Sequence, residues 1–99
     1  MSVVRMWETR LEPAGVEAFW SIVRSTWDEL TSCDGFLGGE LFESAGGEAR
    51  AVVITRWRDT AAAEAARSWE AALDAHSARP GYGWFFATVA LPESPRERG

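Results

Sequence analysis

Hydrophobic residues follow a helical period in the segment after the first proline. Large apolar residues recur there at steps of three or four positions: Val16, Phe19, Trp20, Val23, Trp27 and Leu30. Pro13 suits the first turn of a helix, and Asp34 with Gly35 supplies a stop. The pattern predicts an amphipathic helix over residues 14–33.

Other segments are β-prone and alternate between apolar and polar positions. They predict four strands, at residues 3–11, 36–43, 48–58 and 84–91. The third strand is apolar on both faces through its middle, which is typical of a strand covered on both sides. Gly38 and Gly39 indicate a bulge or a close backbone approach in the second strand, and residues 44–47 indicate a hairpin turn.

A second helix is predicted after Asp59 and Thr60, which form a good N-cap pair. This alanine-rich helix runs to about Ser77, and residues 80–83 form a turn. Its inward stripe consists of Ala62, Ala65, Ala66, Trp69, Ala72, Leu73 and His76.

The predicted order βαββαβ indicates an α+β, ferredoxin-like domain with two helices on one face of a four-stranded antiparallel sheet. No element remains to cover the other face, where Val4, Met6, Val52 and Ile54 are expected. Leaving such a patch in water is unfavourable, so we expect a homodimer that packs sheet against sheet. The domain is expected to span residues 1–92, with a flexible tail at residues 93–99.

Composition narrows the classes of function. A chain of 99 residues forms one domain, and its net charge of −5 argues against nucleic-acid binding. Cys33 is the single cysteine, which excludes an internal disulfide. No signal peptide or membrane-spanning apolar run is evident, so we expect a cytoplasmic protein without a membrane partner.

Candidate chemistry centres on the second predicted helix. His76, the single histidine of the sequence, could serve as a pocket-lining base, a hydrogen-bond donor or an axial iron ligand. The alternative is a helix-end histidine that caps carbonyl groups or is partly exposed. The tryptophans, six in all, could line a substrate pocket or fill the core, and the alanines beside Trp69 allow either close packing or a void for a flat ligand.

Other reactive or charged residues favour structural roles. Arg56 and Arg58 could bind an anionic group, but pairing with Glu8 across the sheet or a dimer interface is favoured. Cys33 has no nearby basic residue in sequence to activate it, which favours a buried or loop thiol.

As a set, several motifs resemble the antibiotic biosynthesis monooxygenase superfamily of dimeric α+β barrels. They are Asp-Gly-Phe-Leu-Gly-Gly at residues 34–39, Val-Ile-Thr-Arg-Trp-Arg-Asp at residues 53–59, and Trp69 with His76 along the following helix. The resemblance implies a homodimer that binds a small aromatic molecule. Families with this fold include cofactor-free oxygenases of polyketide quinones and heme-degrading oxygenases.

The heme-degrading branch has an asparagine on the first strand, a tryptophan on the second helix and an iron-ligating histidine later on that helix. The histidine position matches His76, but Thr9 stands at the asparagine position and Ala66 at the tryptophan position, with Trp69 nearly one turn later. The resemblance therefore implies heme binding through His76 only as an alternative.

The quinone-forming branch uses neither metal nor cofactor, and it implies an oxygenase for a bulky aromatic, polyketide-type substrate held between sheet and helices. Its catalytic candidates here are His76 as base or donor, Trp69 as pocket wall or donor, and Thr9 as a further polar contact. Two alternatives stay open at this point: a non-catalytic ligand-binding or heme-binding dimer, and a structural dimer whose tryptophans only fill the core.

Overall fold

The computed structural model describes residues 2–89. The strands are β1 (Val3–Arg10), β2 (Phe36–Glu43), β3 (Arg50–Trp57) and β4 (Tyr82–Ala87). The helices are α1 (Val16–Thr31), α2 (Thr60–Ala65) and α3 (Ser68–Asp74), and a 3-10 turn (Pro13–Gly15) precedes α1. The predicted tail at residues 93–99 and residues 90–91 of the predicted last strand lie outside the described residues, whereas residues 88–89 lie beyond the end of β4.

The four strands form one sheet in the order β2-β3-β1-β4, with every neighbouring pair antiparallel. This arrangement confirms the predicted α+β, ferredoxin-like class. Within residues 2–89, no helix is both long and apolar enough to pass through a bilayer.

The two central strands have one inner and one outer face, as their alternation predicts. Along β1 and β3, every second residue is buried: Val3, Arg5, Trp7, Thr9, Ala51, Val53, Thr55 and Trp57. The residues between them are half-buried or exposed and form the outer face. Because side chains alternate along a strand, the inner residues all face the helices.

The core lies between the inner face of the sheet and the helices. Phe19, Val23 and Leu30 of α1 are buried, as the apolar stripe predicts. They join Trp57 and Leu73 in a single apolar cluster. Full burial of one such side chain stabilises the fold by roughly 1.5–3 kcal/mol, so the stripe of α1 is a main source of stability.

The glycine pair of β2 accounts for two local features. Gly38 has a φ of +134° and lies at a register shift between β2 and β3, which confirms the predicted bulge. At Gly39, a side chain would overlap the backbone carbonyl of Ile54 and the ring of Trp27. The pair therefore lets β2 pass close to β3 and α1.

The single helix predicted from Thr60 to Ser77 is wrong, because the chain forms two short helices with a break at Ala66 and Arg67. At the break, the amides of Trp69 and Glu70 bond to carbonyls three residues earlier, at 3.4 and 3.0 Å. These tighter turns rotate α3 relative to a straight helix. Glu70 consequently faces the sheet, a position that the predicted stripe did not assign to it.

The break also explains the position of His76. The helix α3 ends at Asp74, and His76 is exposed beyond it, with its amide donating to the Leu73 carbonyl at 3.0 Å. Its predicted place on the buried stripe is wrong, because the stripe assumed an unbroken helix as far as Ser77.

Candidate functional site

A groove runs along the helix layer, where the end of α1 meets α2 and α3. It consists of two cavities, of about 390 and 200 Å³, which share Cys33, Ala65 and Ala66 as walls. The smaller cavity is also lined by Leu30 and Trp69. The small side chains of the alanine-rich segment leave this space, and the larger cavity lies within the range of ligand pockets, about 300–1,000 Å³.

An ion cluster forms the polar rim of the larger cavity. The Arg58 guanidinium donates two hydrogen bonds to the Asp34 carboxylate, at 3.0 and 3.3 Å, and one to Asp59 at 3.3 Å. These bonds hold the pKa of Asp34 below its usual value. The amide of Ala62, together with Arg58, lowers the pKa of Asp59 as well. Both carboxyl groups are therefore poor bases at neutral pH.

Cys33 lies where the two cavities meet and is half-buried. Its thiol donates to the carbonyl of Glu29 at 3.5 Å. The structure thus places it in a loop at the end of α1, as the sequence favoured.

A second polar feature lies inside the domain, between β1 and α3. Arg5 donates from Nε and from one terminal nitrogen to the two carboxylate oxygens of Glu70, at 2.8 and 2.9 Å. Both residues are buried, with exposed fractions of 5% and 7%. Bidentate pairs of this kind combine charge with a fixed planar geometry.

The last strand and the glycine before it leave room for Arg5 and for Trp7, two positions further along β1. A side chain at Gly83 would overlap the Arg5 guanidinium, and one at Gly81 would overlap the Trp7 indole. The Arg5 guanidinium also lies 4.5 Å from the centre of the Phe85 ring. Gly83 of β4 therefore leaves space for the Arg5 guanidinium, and Phe85 of the same strand contacts it through its ring.

The three catalytic candidates from the sequence do not come together. Trp69 is buried, lines the smaller cavity and contacts the Trp7 ring edge to face, with ring centres 5.7 Å apart. Thr9 is buried on the inner face of β1, and its hydroxyl donates to the carbonyl of Arg79 at 3.0 Å. Neither Thr9 nor the exposed His76 lines the groove.

The arginines on the third strand also have partners other than those predicted. Arg56 pairs with Glu40 at 2.6 Å, and Arg58 pairs with the acidic residues of the rim. Glu8 instead lies 3.9 Å from both Arg50 and Arg79. The predicted pairing of Arg56 or Arg58 with Glu8 is therefore wrong within the chain, because register places Val4 rather than Glu8 beside Arg56.

Sequence reasoning missed Arg5 and Glu70. The sequence did contain a signal for Arg5. Residues at alternate positions of a strand share a face, so Arg5 lies on the same buried face as Val3 and Trp7. A charged residue at an inward position demands a partner. Glu70 had no such signal, because its burial depends on the helix break. Within residues 2–89, no cluster of three or more histidine, cysteine, aspartate or glutamate residues could hold a metal ion.

A model of the family described as antibiotic biosynthesis monooxygenase matches residues 2–78 of the sequence. No curated protein matches the chain significantly.

Several solved structures share the fold at low sequence identity. SnoaB, a cofactor-independent oxygenase from Streptomyces nogalater, is 24% identical with a TM-score of 0.76, over 93% of this chain and 98% of its own. Rv0793 from Mycobacterium tuberculosis is 19% identical with a TM-score of 0.79, over 94% and 100%. A conserved protein from Methanosarcina mazei Go1 is 9% identical with a TM-score of 0.79, over 90% and 94%. The architecture thus persists where few side chains are shared.

Proposed function

Because the chain belongs to the antibiotic biosynthesis monooxygenase family, we propose that it is a cofactor-independent oxygenase for a bulky, planar aromatic metabolite of the polyketide type. The observation that carries this proposal is the alanine-lined groove beside Trp69. The alanine methyl groups, Leu30 and the Trp69 indole suit a flat apolar ring system. Polar residues of the same cavities, such as Glu29 and Arg58, suit polar substituents. The chain shares its fold with SnoaB, a cofactor-independent oxygenase, and this similarity supports the proposal of oxygenation without a cofactor.

The proposed reaction needs only a proton acceptor and a binding site. A methylene group flanked by two aromatic rings, conjugated with a ring carbonyl, loses a proton to give a stabilised enolate. The enolate reduces dioxygen, one oxygen atom becomes the new ketone and the other leaves as water. For anthrone the balance is anthrone plus O₂ to anthraquinone plus water, so no external reductant is required.

Trp69 is the proposed wall of the substrate site, because it is the predicted candidate that lines the groove. Its outer side contacts the cavity and its ring packs on Trp7, which holds it in a fixed orientation. The roles predicted for His76 as base and Thr9 as polar contact stay predictions, since both lie outside the groove.

Heme does not fit the residues around His76. The His76 side chain is exposed, so a heme bound through it would be exposed to solvent. The pocket around a heme sets what its iron does, and His76 lines neither cavity of the groove. We therefore derive no step through heme.

We also propose that the protein works as a homodimer that packs its sheets face to face. The outer face carries Phe42, Val52, Ile54, Met6, Val4, Tyr82, Trp84 and Phe86, which are neighbours in the register of the four strands. In this chain Trp84 and Phe86 are 46% and 50% exposed. The Arg56–Glu40 pair lies on the same face and is paired within one chain, so a second copy can cover the apolar residues without leaving these two charges unpaired.

The function is tested by oxygen uptake with anthrone, corrected for the rate without protein. We expect uptake with formation of anthraquinone, and a decrease in kcat/KM of roughly tenfold or more for Trp69→Ala, because the ring would lose its wall. Trp20→Ala is the matched control, since Trp20 is half-buried on α1, bonds to Glu43 and lines neither cavity of the groove. Folded protein that oxidises no member of a panel of anthrones and hydroxynaphthalenes would refute the proposal.

A further inference from the structure

Trp69 and Glu70 are neighbours in α3 whose side chains leave the helix in different directions. Successive side chains of an α-helix are about 100° apart around its axis. Both residues are nevertheless buried. A rotation of α3 that moved Glu70 away from β1 would therefore also turn the Trp69 indole, which lines the smaller cavity of the groove.

The helix α3 has little stability of its own. It contains seven residues and follows the break at Ala66 and Arg67 instead of continuing α2. Isolated helices of this length are not stable in water, so contacts with the rest of the domain set how α3 lies. Apolar contacts, such as those of the buried Leu73, favour burial but are not directional. Directional contacts are needed to select one rotation.

Hydrogen bonds at both ends of α3 supply such contacts. Near its start, the Glu70 carboxylate accepts two bonds from the Arg5 guanidinium, at 2.8 and 2.9 Å, and the planar fork of arginine fixes their geometry. One of these carboxylate oxygens also lies 3.5 Å from Arg67 in the break. At the end of α3, the Asp74 carboxylate accepts from the amide of Gly81 at 2.7 Å. The helix is thus tied to β1 at one end and to the segment before β4 at the other.

The ion pair is suited to discriminate between rotations of α3. Replacing a buried ion pair by well-packed apolar residues is often neutral or stabilising, whereas leaving one charge without its partner is strongly destabilising. A rotation that separated Glu70 from Arg5 would leave both charges in that unfavourable state. The pair therefore favours one orientation of α3 more than it adds net stability.

We propose that the Arg5–Glu70 ion pair positions the Trp69 indole in the groove by fixing the rotation of α3 against β1. The ring contact with Trp7 acts together with the pair, because Trp7 lies two positions from Arg5 on the same face of β1. Arg5 and Glu70 are positioning residues, since neither lines a cavity of the groove. The consequence for turnover rests on the proposed function, in which Trp69 forms the wall of the substrate site.

Circular dichroism of the full chain reports the relative orientation of the two indoles. The ring centres of Trp7 and Trp69 are 5.7 Å apart and the ring planes are inclined at 73°. Indoles this close couple their ultraviolet transitions into two bands of opposite sign, a couplet that depends on the angle between the rings. Within residues 2–89, no other two tryptophans are in ring contact. Subtracting the spectrum of Trp69→Phe isolates this couplet.

The main variant combines Arg5→Met with Glu70→Met, which removes both charges together and leaves neither unpaired. We expect it to fold and to lose roughly half or more of the couplet, because α3 is no longer held in one rotation. Its KM for anthrone should rise roughly threefold to fivefold with kcat unchanged within about twofold, as expected when a contact shared by ground state and transition state is weakened.

Arg10→Met with Glu48→Met is the matched control, because it removes an exposed ion pair of 3.0 Å that includes another arginine of β1. Both the couplet and KM should remain as in wild type. Glu70→Gln is the second test variant and decides the matter if the double methionine variant does not fold. Its amide offers Arg5 one acceptor oxygen instead of two, so the couplet should decrease here as well.

A merely structural ion pair predicts a shifted thermal midpoint with an unchanged couplet in either folded variant, and that result would overturn the inference. A changed couplet with an unchanged KM would overturn it too, and so would a wild-type spectrum without a couplet. Failure of both variants to fold would show that the pair is required for folding itself, which also contradicts a positioning role.

These outcomes are distinct from failure of the oxygenase proposal. Loss of the couplet in the double methionine variant, without oxygen uptake by the wild-type protein, refutes the oxygenase alone. Oxygen uptake by wild type, with the same couplet and the same KM in the double variant, refutes the positioning role alone.

Discussion

Gly83 of β4 and Gly81, which precedes the strand, make room for large side chains of β1. Gly81 lies against the Trp7 indole, and Gly83 lies against the Arg5 guanidinium. The contact at Gly81 is with a rigid ring that already packs on Trp69, so it cannot be relieved by rotation of a flexible chain end. Gly81 is therefore required by packing rather than by backbone conformation.

A methyl group at residue 81 should be costly. Gly81→Ala is expected to destabilise the fold by about 1–3 kcal/mol, as overpacking of a filled core does. Gly46→Ala is the control, since a side chain there meets open space in the hairpin turn, and its effect should stay within about 0.5 kcal/mol. Urea unfolding of both variants measures the difference, and equal midpoints would contradict the packing argument.

The sequence predicts the burial and the partners of some residues and not of others. The predicted burial of Trp69 is confirmed, because a large apolar residue on the apolar face of an amphipathic helix is buried even when the helix is broken nearby. The predicted burial of His76 is wrong, because this residue lies beyond the end of α3 at Asp74. Arg5 was readable as an inward charge, but its partner was not, since Glu70 lies 65 positions away in the chain.

The helices α2 and α3 illustrate how capping and tertiary packing compete within one segment. The Asp59 carboxylate accepts from the amide of Ala62 at 2.8 Å, which confirms the predicted N-cap of α2. That signal is local and was visible in the sequence. The break after Ala66 has no proline or glycine to announce it, and it serves to bring Glu70 to Arg5.

The cap gives a prediction with a defined pH dependence. The pKa of Asp59 is lowered in the folded chain from its usual 3.8, so the carboxylate stabilises folding above that value and loses its effect as the pH falls through the lowered pKa. Asp59→Ala should reduce the thermal midpoint at pH 7 by about 4 °C, with a smaller difference at pH 3.

Asp59→Asn is the matched control for the cap, because its side-chain oxygen can still accept from Ala62 but carries no charge. Its midpoint should lie between those of wild type and Asp59→Ala at pH 7. A difference between wild type and Asp59→Ala that stays constant from pH 7 to pH 3 would show that the charge of Asp59 does not contribute.

At the scale of the whole molecule, the sheet is covered on one face only. The helices cover the inner face, while the outer face presents aromatic residues of β2 and β4 to solvent. Apolar patches of this kind on a small domain are typical of interaction surfaces. A second copy of the chain is the proposed partner, because two copies of this apolar face would cover each other while Arg56 and Glu40 stay paired within each chain.

A charge on this face should separate the two copies. Phe86→Glu is expected to convert the proposed dimer to a monomer, because each two-fold contact would bury two unpaired carboxylates. Light scattering coupled to gel filtration measures the mass. Ala18→Glu, at an exposed position of α1 on the helix side, is the control and should remain dimeric. Wild-type protein that is monomeric at micromolar concentration would contradict the dimer.

The sequence by itself determined the order of strands and helices apart from the split of the second helix, the inner and outer faces of β1 and β3, the N-cap of α2 and the bulge in β2. Each of these depends on residues close together in the chain, through periodicity, capping or the conformational range of glycine. The tertiary structure alone decided the ion pair of Arg5 with Glu70, the break between α2 and α3, and the exposure of His76. These depend on which distant segments meet in the folded chain, as Arg5 and Glu70 do across 65 positions, and no local pattern of residues encodes that.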